Sequence, residues 1–179
     1  MRRFTSFTSY LSYINEEESK YTIYLDLDGV LCDFIKGASD ATDLPIRDHE
    51  DWEKVKDTQW KMIADIGKDF WAKLNWTSDG KKLWDYVKQF RPNILSAFPQ
   101  APENKQFAVE GKYEWIKREL RGYDNIYLVK GQDKQIYANP TSILIDDSGR
   151  NIKQWLSKGG IGILHRNAND TIRRLKELI

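Results

Sequence analysis

A single cysteine, Cys32, stands in 179 residues. It excludes an internal disulfide framework and a cysteine-rich zinc site, and it fits a reducing compartment. Histidine is almost as scarce, with only His49 and His165. Neither lies near a Ser or Cys motif, so a nucleophile–histidine triad is not indicated. No apolar run approaches the ~18 residues that a membrane-spanning helix needs. Charge of one sign is also missing: 28 Lys and Arg face 27 Asp and Glu, a formal net charge of +1. That balance offers no bulk field to hold the chain on nucleic acid or anionic lipid, so neither partner is expected. Hydrophobic residues make up 40% and charged residues 31%, the mixture of a globular domain rather than a disordered chain. A cytoplasmic location is expected.

Residues 1–15 carry Arg2, Arg3 and many Ser and Thr but no acid, and Glu16, Glu17 and Glu18 follow. The segment is too polar for a secretory signal and short for an organelle transit peptide. Phe4, Phe7, Leu11 and Ile14 recur at i, i+3, i+7 and i+10, which places them on one helical face. The segment also resembles the short N-terminal capsid-targeting tags of some large tailed phages, cut after Ile-x-Glu, with Ile14-Asn15-Glu16 as the match. That resemblance implies association with a virion. Residues 1–20 are therefore set apart as an extension, mobile or a tag.

From Tyr21 the chain alternates. Short apolar runs at Tyr21–Leu27, Asn93–Ala97, Asn125–Val129, Ser142–Ile145 and Gly160–Leu164 read as strands. Each is apolar on both faces, as in a buried parallel sheet. Between them, Gly80–Phe90, Lys112–Leu120, Asn151–Leu156 and Thr171–Leu178 read as helices, the last capped by Asn169 or Asp170. Trp84, Trp115 and Trp155 fall on helix faces and read as packing. This pattern predicts an α/β fold, a Rossmann-like open parallel sheet with right-handed crossovers. Residues 36–75 break it. They hold Trp52, Trp60, Met62, Ile63, Ile66, Phe70 and Trp71 among many charges and no convincing strand. The simplest account is a small helical cap inserted after the first strand, overhanging the strand ends where such sheets bind ligands. The core is then 21–35 with 76–179. The charged stretch Arg47 to Asp57 reads as a solvated face of the cap.

Acids mark those strand ends. Asp26 and Asp28 close the first strand at Asp28-Gly29, and Asp146-Asp147 close the fourth. Four carboxylates at neighbouring strand ends repel one another unless a cation or shared protons join them. An all-oxygen set suits Mg²⁺ rather than zinc. Phosphoryl chemistry also needs donors, and Ser96 at the end of the second strand and Lys134, twelve residues before Asp146, supply them. Cys32, just past the turn, reads as a small buried hydrophobe.

In order and placement these motifs resemble the haloacid dehalogenase-like phosphohydrolases, and within them the 5′(3′)-deoxyribonucleotidases. Asp28-Gly-Val-Leu-Cys-Asp-Phe34, Lys112-Tyr-Glu-Trp115-Ile-Lys, and Asp133-Lys134 followed by Leu144-Ile-Asp-Asp147 carry the closer likeness. Lys130 rivals Lys134 with poorer spacing. Ser148-Gly149-Arg150 departs from relatives that carry Arg directly after the paired Asp. The resemblance implies a Mg²⁺-dependent phosphomonoesterase acting on nucleoside monophosphates through an aspartyl-phosphate. It implies Asp26 as nucleophile and Asp28 as acid and base. It gives Ser96 and Lys134 to the phosphate, and Asp26, Asp28 (through its carbonyl) and Asp146 to the metal. Asp147 becomes an outer metal partner, and Phe34, Phe70 and Trp71 become candidates to meet the base. Members of the superfamily often dimerise, which allows a homodimer here. The other readings are a phosphatase for another small phosphoester such as a sugar phosphate, or a silent or virion-associated binding protein on the same fold.

Overall fold

The computed structural model describes residues 20–42 and 45–179. The expectations for the N-terminal extension, its apolar face and its tag motif fall on residues 1–19 and lie outside the described residues. Five parallel strands, β1 (Thr22–Leu25), β2 (Asn93–Ala97), β3 (Ile126–Val129), β4 (Ser142–Asp146) and β5 (Ile161–Leu164), form one sheet in the order β3-β2-β1-β4-β5. The first strand is central because Leu25 pairs with Ile94 on one side and Ile145 on the other. Asp26 continues that ladder, its N–H donating to the Ile145 carbonyl at 3.0 Å. Asp26 and Asp146 therefore sit one residue beyond the same Leu25–Ile145 pair, and strand register alone brings them together.

Two of the five strands are not buried on both faces as expected. β3 and β5 are the sheet edges, and β3 is only half-buried along its length. An apolar run does not reveal which strand lacks a second neighbour. One face of the sheet packs Leu95, Leu144, Ile152 and Trp155 with Tyr24, Tyr127 and Tyr137, and the other face carries the larger core.

The helices are α1 (Phe34–Thr42), α2 (His49–Ile66), α3 (Lys68–Ala72), α4 (Gly80–Val87), α5 (Pro102–Glu119), α6 (Gly149–Ser157) and α7 (Ala168–Lys176). 3₁₀ segments follow α4 and β3, a single turn at Lys88–Phe90 and a longer one of seven residues at Gly131–Tyr137. Asp48, Ser148 and Asn167 cap α2, α6 and α7 by accepting from the N–H three residues on. The cap of α7 is thus Asn167, not Asn169 or Asp170, and the donor to it is the Asp170 N–H at 2.9 Å. Helix α5 begins ten residues before the expected Lys112, with Pro102 in its first turn. Gly111 inside it looks like a breaker but is a packing device. A Cβ there would lie 2.5 Å from the Lys68 carbonyl oxygen and from Trp71 Cβ, so glycine lets α5 and α3 touch backbone to side chain.

Helices α1 to α3 form the inserted region. Its two ends meet in a neck: Asp33 N–H donates to the Asn75 carbonyl at 2.9 Å, Thr77 N–H donates to the Leu31 carbonyl at 2.8 Å, and Cys32 bridges Trp76. Trp84, Trp115 and Trp155 are all buried, as the helix faces suggested.

Candidate active site

At the carboxyl end of β1 the chain turns sharply. The Leu27 carbonyl accepts from Val30, Leu31 and Cys32, and Gly29 N–H donates to the Cys32 carbonyl. Gly29 has φ +72°, a left-handed conformation that side chains rarely adopt. This turn sets Asp26 and Asp28 beside Asp146 and Asp147 from β4. One oxygen from each of Asp26, Asp146 and Asp147 lies within 4.8 Å of the others. The Asp28 carboxylate is not in that group.

Lys134, carried by the 3₁₀ segment after β3, sits among these acids. Its Nζ lies 2.8 Å from Asp26 Oδ2 and 2.7 Å from Asp146 Oδ2, and it is buried. Burial works against its charge, but Asp26 and Asp146 outweigh burial and push its pKa up. Lys130 is exposed and stands outside the cluster. Asp147 makes no ion pair among the described residues. Burial first, and then the charges of Asp26 and Asp146, push its carboxyl up to about 8. Burial, with Asp26, also raises Asp146. Asn151 on α6 donates from Nδ2 to both Asp146 oxygens, at 3.1 and 3.0 Å, and Ser148 N–H donates to Asp146 Oδ1 at 2.8 Å.

Asp28 faces a different partner. Lys112 of α5 reaches its Oδ2 at 2.6 Å, and the same ammonium donates to Ser96 Oγ at 2.9 Å and to the Ala97 carbonyl at 2.6 Å. Asp28 Oδ1 is buried without a hydrogen-bond partner. Burial raises the Asp28 carboxyl against the opposing pull of Lys112. Ser96 lies within β2, fully buried, and its contact with the site runs through Lys112. Cys32 is buried and its thiol is pushed well up by that burial, so it is no nucleophile at neutral pH.

A cavity of about 290 Å³ opens above Asp26, Asp28, Lys134 and Asp147. Its upper wall is aromatic. Phe34, Trp52, Trp60 and Trp71 line it, whereas Phe70 lines a separate recess on the other side of α3. Phe34 lies near-parallel to Trp71 with centroids 5.6 Å apart and edge-on to Trp52 at 4.9 Å. Trp60 and Trp71 are also near-parallel, at 6.2 Å. His49 and Arg150 stand at the rim. The stretch Arg47 to Asp57 is therefore two-sided: its ion pairs, such as Lys56–Glu53, face solvent, while Trp52 turns inward.

Sequence reasoning placed Asp26, Asp28, Asp146 and Asp147 at strand ends and Lys134 in the loop entering the fourth strand, and the structure brings them into one site. It did not assign Lys112, Asn151, Trp52 or Trp60 to that site. A lysine on an otherwise apolar helix face, beside Trp115 and Ile116, was the available signal for Lys112.

The donor set fits a hard divalent cation. It is all oxygen, three carboxylates converge, and a single lysine cannot balance them. No helix is long and apolar enough to cross a membrane, among the described residues.

Comparisons with known proteins follow the same lines. A model described as "5′ nucleotidase, deoxy (pyrimidine), cytosolic type C protein" matches residues 20–175. No curated protein matches the chain in sequence. Among solved structures, a hydrolase from Pseudomonas syringae is 12% identical, with 89% of this chain and 99% of that chain covered and a TM-score of 0.52. A HAD-superfamily hydrolase of subfamily IA from Geobacter sulfurreducens is 8% identical, with 89% and 99% covered and a TM-score of 0.51. L-2-haloacid dehalogenase from Xanthobacter autotrophicus is 12% identical, with 79% and 75% covered and a TM-score of 0.50. At these identities the likeness is one of fold, a parallel sheet with an inserted helical region.

Proposed function

The chain belongs to the 5′ nucleotidase, deoxy (pyrimidine), cytosolic type C family, and from that premise we propose that it is a 5′(3′)-deoxyribonucleotidase, releasing phosphate from deoxynucleoside monophosphates. The observation that carries the reading is the joining of two parts: a carboxylate–lysine cluster on the sheet and an aromatic wall from the insertion, facing one cavity. The first suits phosphoryl transfer, and the second suits a nucleobase rather than a hydroxyl-rich sugar, which would need polar donors.

Asp26 attacks phosphorus and forms an aspartyl-phosphate. Asp28 protonates the departing alcohol and then takes a proton from the water that hydrolyses the intermediate. Lys134 holds Asp26 toward the phosphoryl group and meets its oxygens as charge shifts onto them. Ser96 and Lys112 support the far side of Asp28. Asp26, Asp146 and the Asp28 carbonyl would hold Mg²⁺, with Asp147 beside it. A bound Mg²⁺ there would neutralise charge between an anionic nucleophile and an anionic phosphate. Asn151 and the Ser148 N–H fix Asp146 from behind. Residues 36–75 serve as the cap, excluding bulk water while the leaving group departs.

The test is phosphate release from a panel of 5′- and 3′-monophosphates and sugar phosphates, with and without Mg²⁺, beside Asp26→Asn. Mg²⁺-dependent turnover of deoxynucleotides, lost in the variant, is the expected result. Activity confined to sugar phosphates would discard the substrate and keep the chemistry. No Asp26-dependent release from any member would discard both.

A further inference from the structure

Lys112 is buried with its charge, 84 positions along the chain from the carboxylate it meets. An ammonium has three N–H donors and no acceptor. All three are taken: Asp28 Oδ2 at 2.6 Å, Ser96 Oγ at 2.9 Å and the Ala97 carbonyl at 2.6 Å. Its Nζ also lies 5.3 Å from the centroid of the Trp71 ring, which closes its remaining side. A saturated ammonium has no proton left for a phosphoryl oxygen, so Lys112 is not a second phosphate-binding lysine. Lys134 differs in this respect, since it faces the cavity.

The effect of Lys112 falls on Asp28. It ties down one carboxylate oxygen, Oδ2, of a side chain that lines the cavity, while the other, Oδ1, is buried without a partner. Two of its anchors, Ser96 and the Ala97 carbonyl, belong to the rigid end of β2, so the tie is fixed to the sheet rather than to a loop.

We infer that Lys112 is a positioning residue of the reaction, held by Ser96 and Ala97 so that the Asp28 carboxyl keeps one orientation toward the leaving group. This rests on the phosphohydrolase reading above. In the step concerned, a bond forms between an Asp26 oxygen and phosphorus, and the bond from phosphorus to the ester oxygen breaks. The proton on the Asp28 carboxyl passes to that ester oxygen, which leaves as the alcohol. A carboxyl free to rotate would spend part of its time with the proton turned away.

The step makes a demand that a merely structural lysine would not. An alkyl leaving group, such as a nucleoside hydroxyl, needs the proton. The p-nitrophenolate of p-nitrophenyl phosphate leaves without it. The experiment compares kcat/KM for the best deoxynucleotide of the panel and for p-nitrophenyl phosphate, in the unaltered protein, Asp26→Asn, Lys112→Met and Lys112→Arg. Thermal melting is run on each. Lys112→Met is expected to lower the ratio of the two kcat/KM values about tenfold or more, since general acid catalysis contributes about 10²–10⁴-fold. Lys112→Arg keeps the buried charge where Lys112→Met fails to fold. Its planar fork cannot meet three acceptors grouped around one point, so the ratio falls in it as well. A cooperatively folded variant that loses both activities by the same factor, or neither, overturns the inference. Absence of Asp26-dependent release in the unaltered protein overturns the parent reading instead.

Discussion

Gly29 and Asp147 are in such close contact that a Cβ on Gly29 would lie 2.0 Å from Asp147 Oδ2. The turn carrying Asp28 is pressed against the second acid of the β4 pair, and the space between them admits only hydrogen. Gly29→Ala is expected to push Asp147 out of the cluster and to strain a backbone at φ +72°. The cost is about 2 kcal/mol of stability, read as a fall of about 4–8 °C in Tm. Phosphate release should fall at least about 100-fold, because the placement of Asp26, Asp28 and Asp147 depends on the same turn. A variant with unchanged melting and turnover would show that the contact is slack.

Proton and metal binding should compete at the acid cluster. Asp147 is pushed up to about 8 by burial and then by Asp26 and Asp146. Between about pH 4, where an unfolded Asp titrates, and about 8, the metal-free fold holds a proton that the unfolded chain has released. More protons on the folded side mean that stability falls as pH rises through this window. Melting in EDTA should therefore show a lower Tm at pH 8 than at pH 6. Added Mg²⁺ should raise Tm more at pH 8 than at pH 6 and should release protons in calorimetry. Equal Mg²⁺ effects at both pH values would contradict a raised Asp147.

The aromatic wall predicts where substrate selectivity resides. Trp60→Ala removes a half-buried ring that lines the cavity. A stacked base contributes about 1–3 kcal/mol, so KM for a nucleoside monophosphate should rise about 5- to 150-fold. p-Nitrophenyl phosphate, with no base to stack, should serve as the control with a much smaller change. Equal changes for both substrates would mean that Trp60 supports the fold and does not meet the base.

His165 gives a separate handle on stability. Its Nδ1 lies 2.8 Å from Thr171 Oγ1, and burial, partly offset by Asp79 and Asp170, holds its pKa below the usual histidine value. The folded state thus favours the neutral ring. As pH falls below about 6.5 the unfolded chain takes up a proton first. Stability should then drop, by up to about 1 kcal/mol per pH unit, until the folded ring also protonates. His165→Asn should flatten this slope in urea titrations at pH 5 and 7. An unchanged slope would place the effect elsewhere.

How much of this could be read in advance follows from where each signal sits along the chain. The strands and their acids are local: Leu25-Asp26-Leu27-Asp28 and Ile145-Asp146-Asp147 show an apolar run ending in carboxylates, and parallel register does the rest. The inserted helices were also legible as an interval without strands. The role of Lys112 was not: its apolar helix face marks the residue, but the contacts with Asp28 and Ser96 that give it meaning are long-range. The first half of α5 was hidden by Gly111, whose missing side chain serves α3 rather than a turn. Trp52 and Trp60 looked like their neighbours Phe70 and Trp71 in composition. Only the helix phase separates Phe70, on the far recess, from the rings that line the cavity.

The neck between Asp33 and Asn75 has a consequence for how such a protein can change over generations. A segment that leaves and returns through one doorway can be lengthened, shortened or exchanged without disturbing the strands beneath. Extra loop length costs little in closure entropy, about 0.6 kcal/mol for each doubling. In the proposed mechanism the residues that break the ester bond and those that meet the base therefore occupy separable tracts of the gene. Selectivity can drift by edits to one tract while the chemistry is inherited intact in the other.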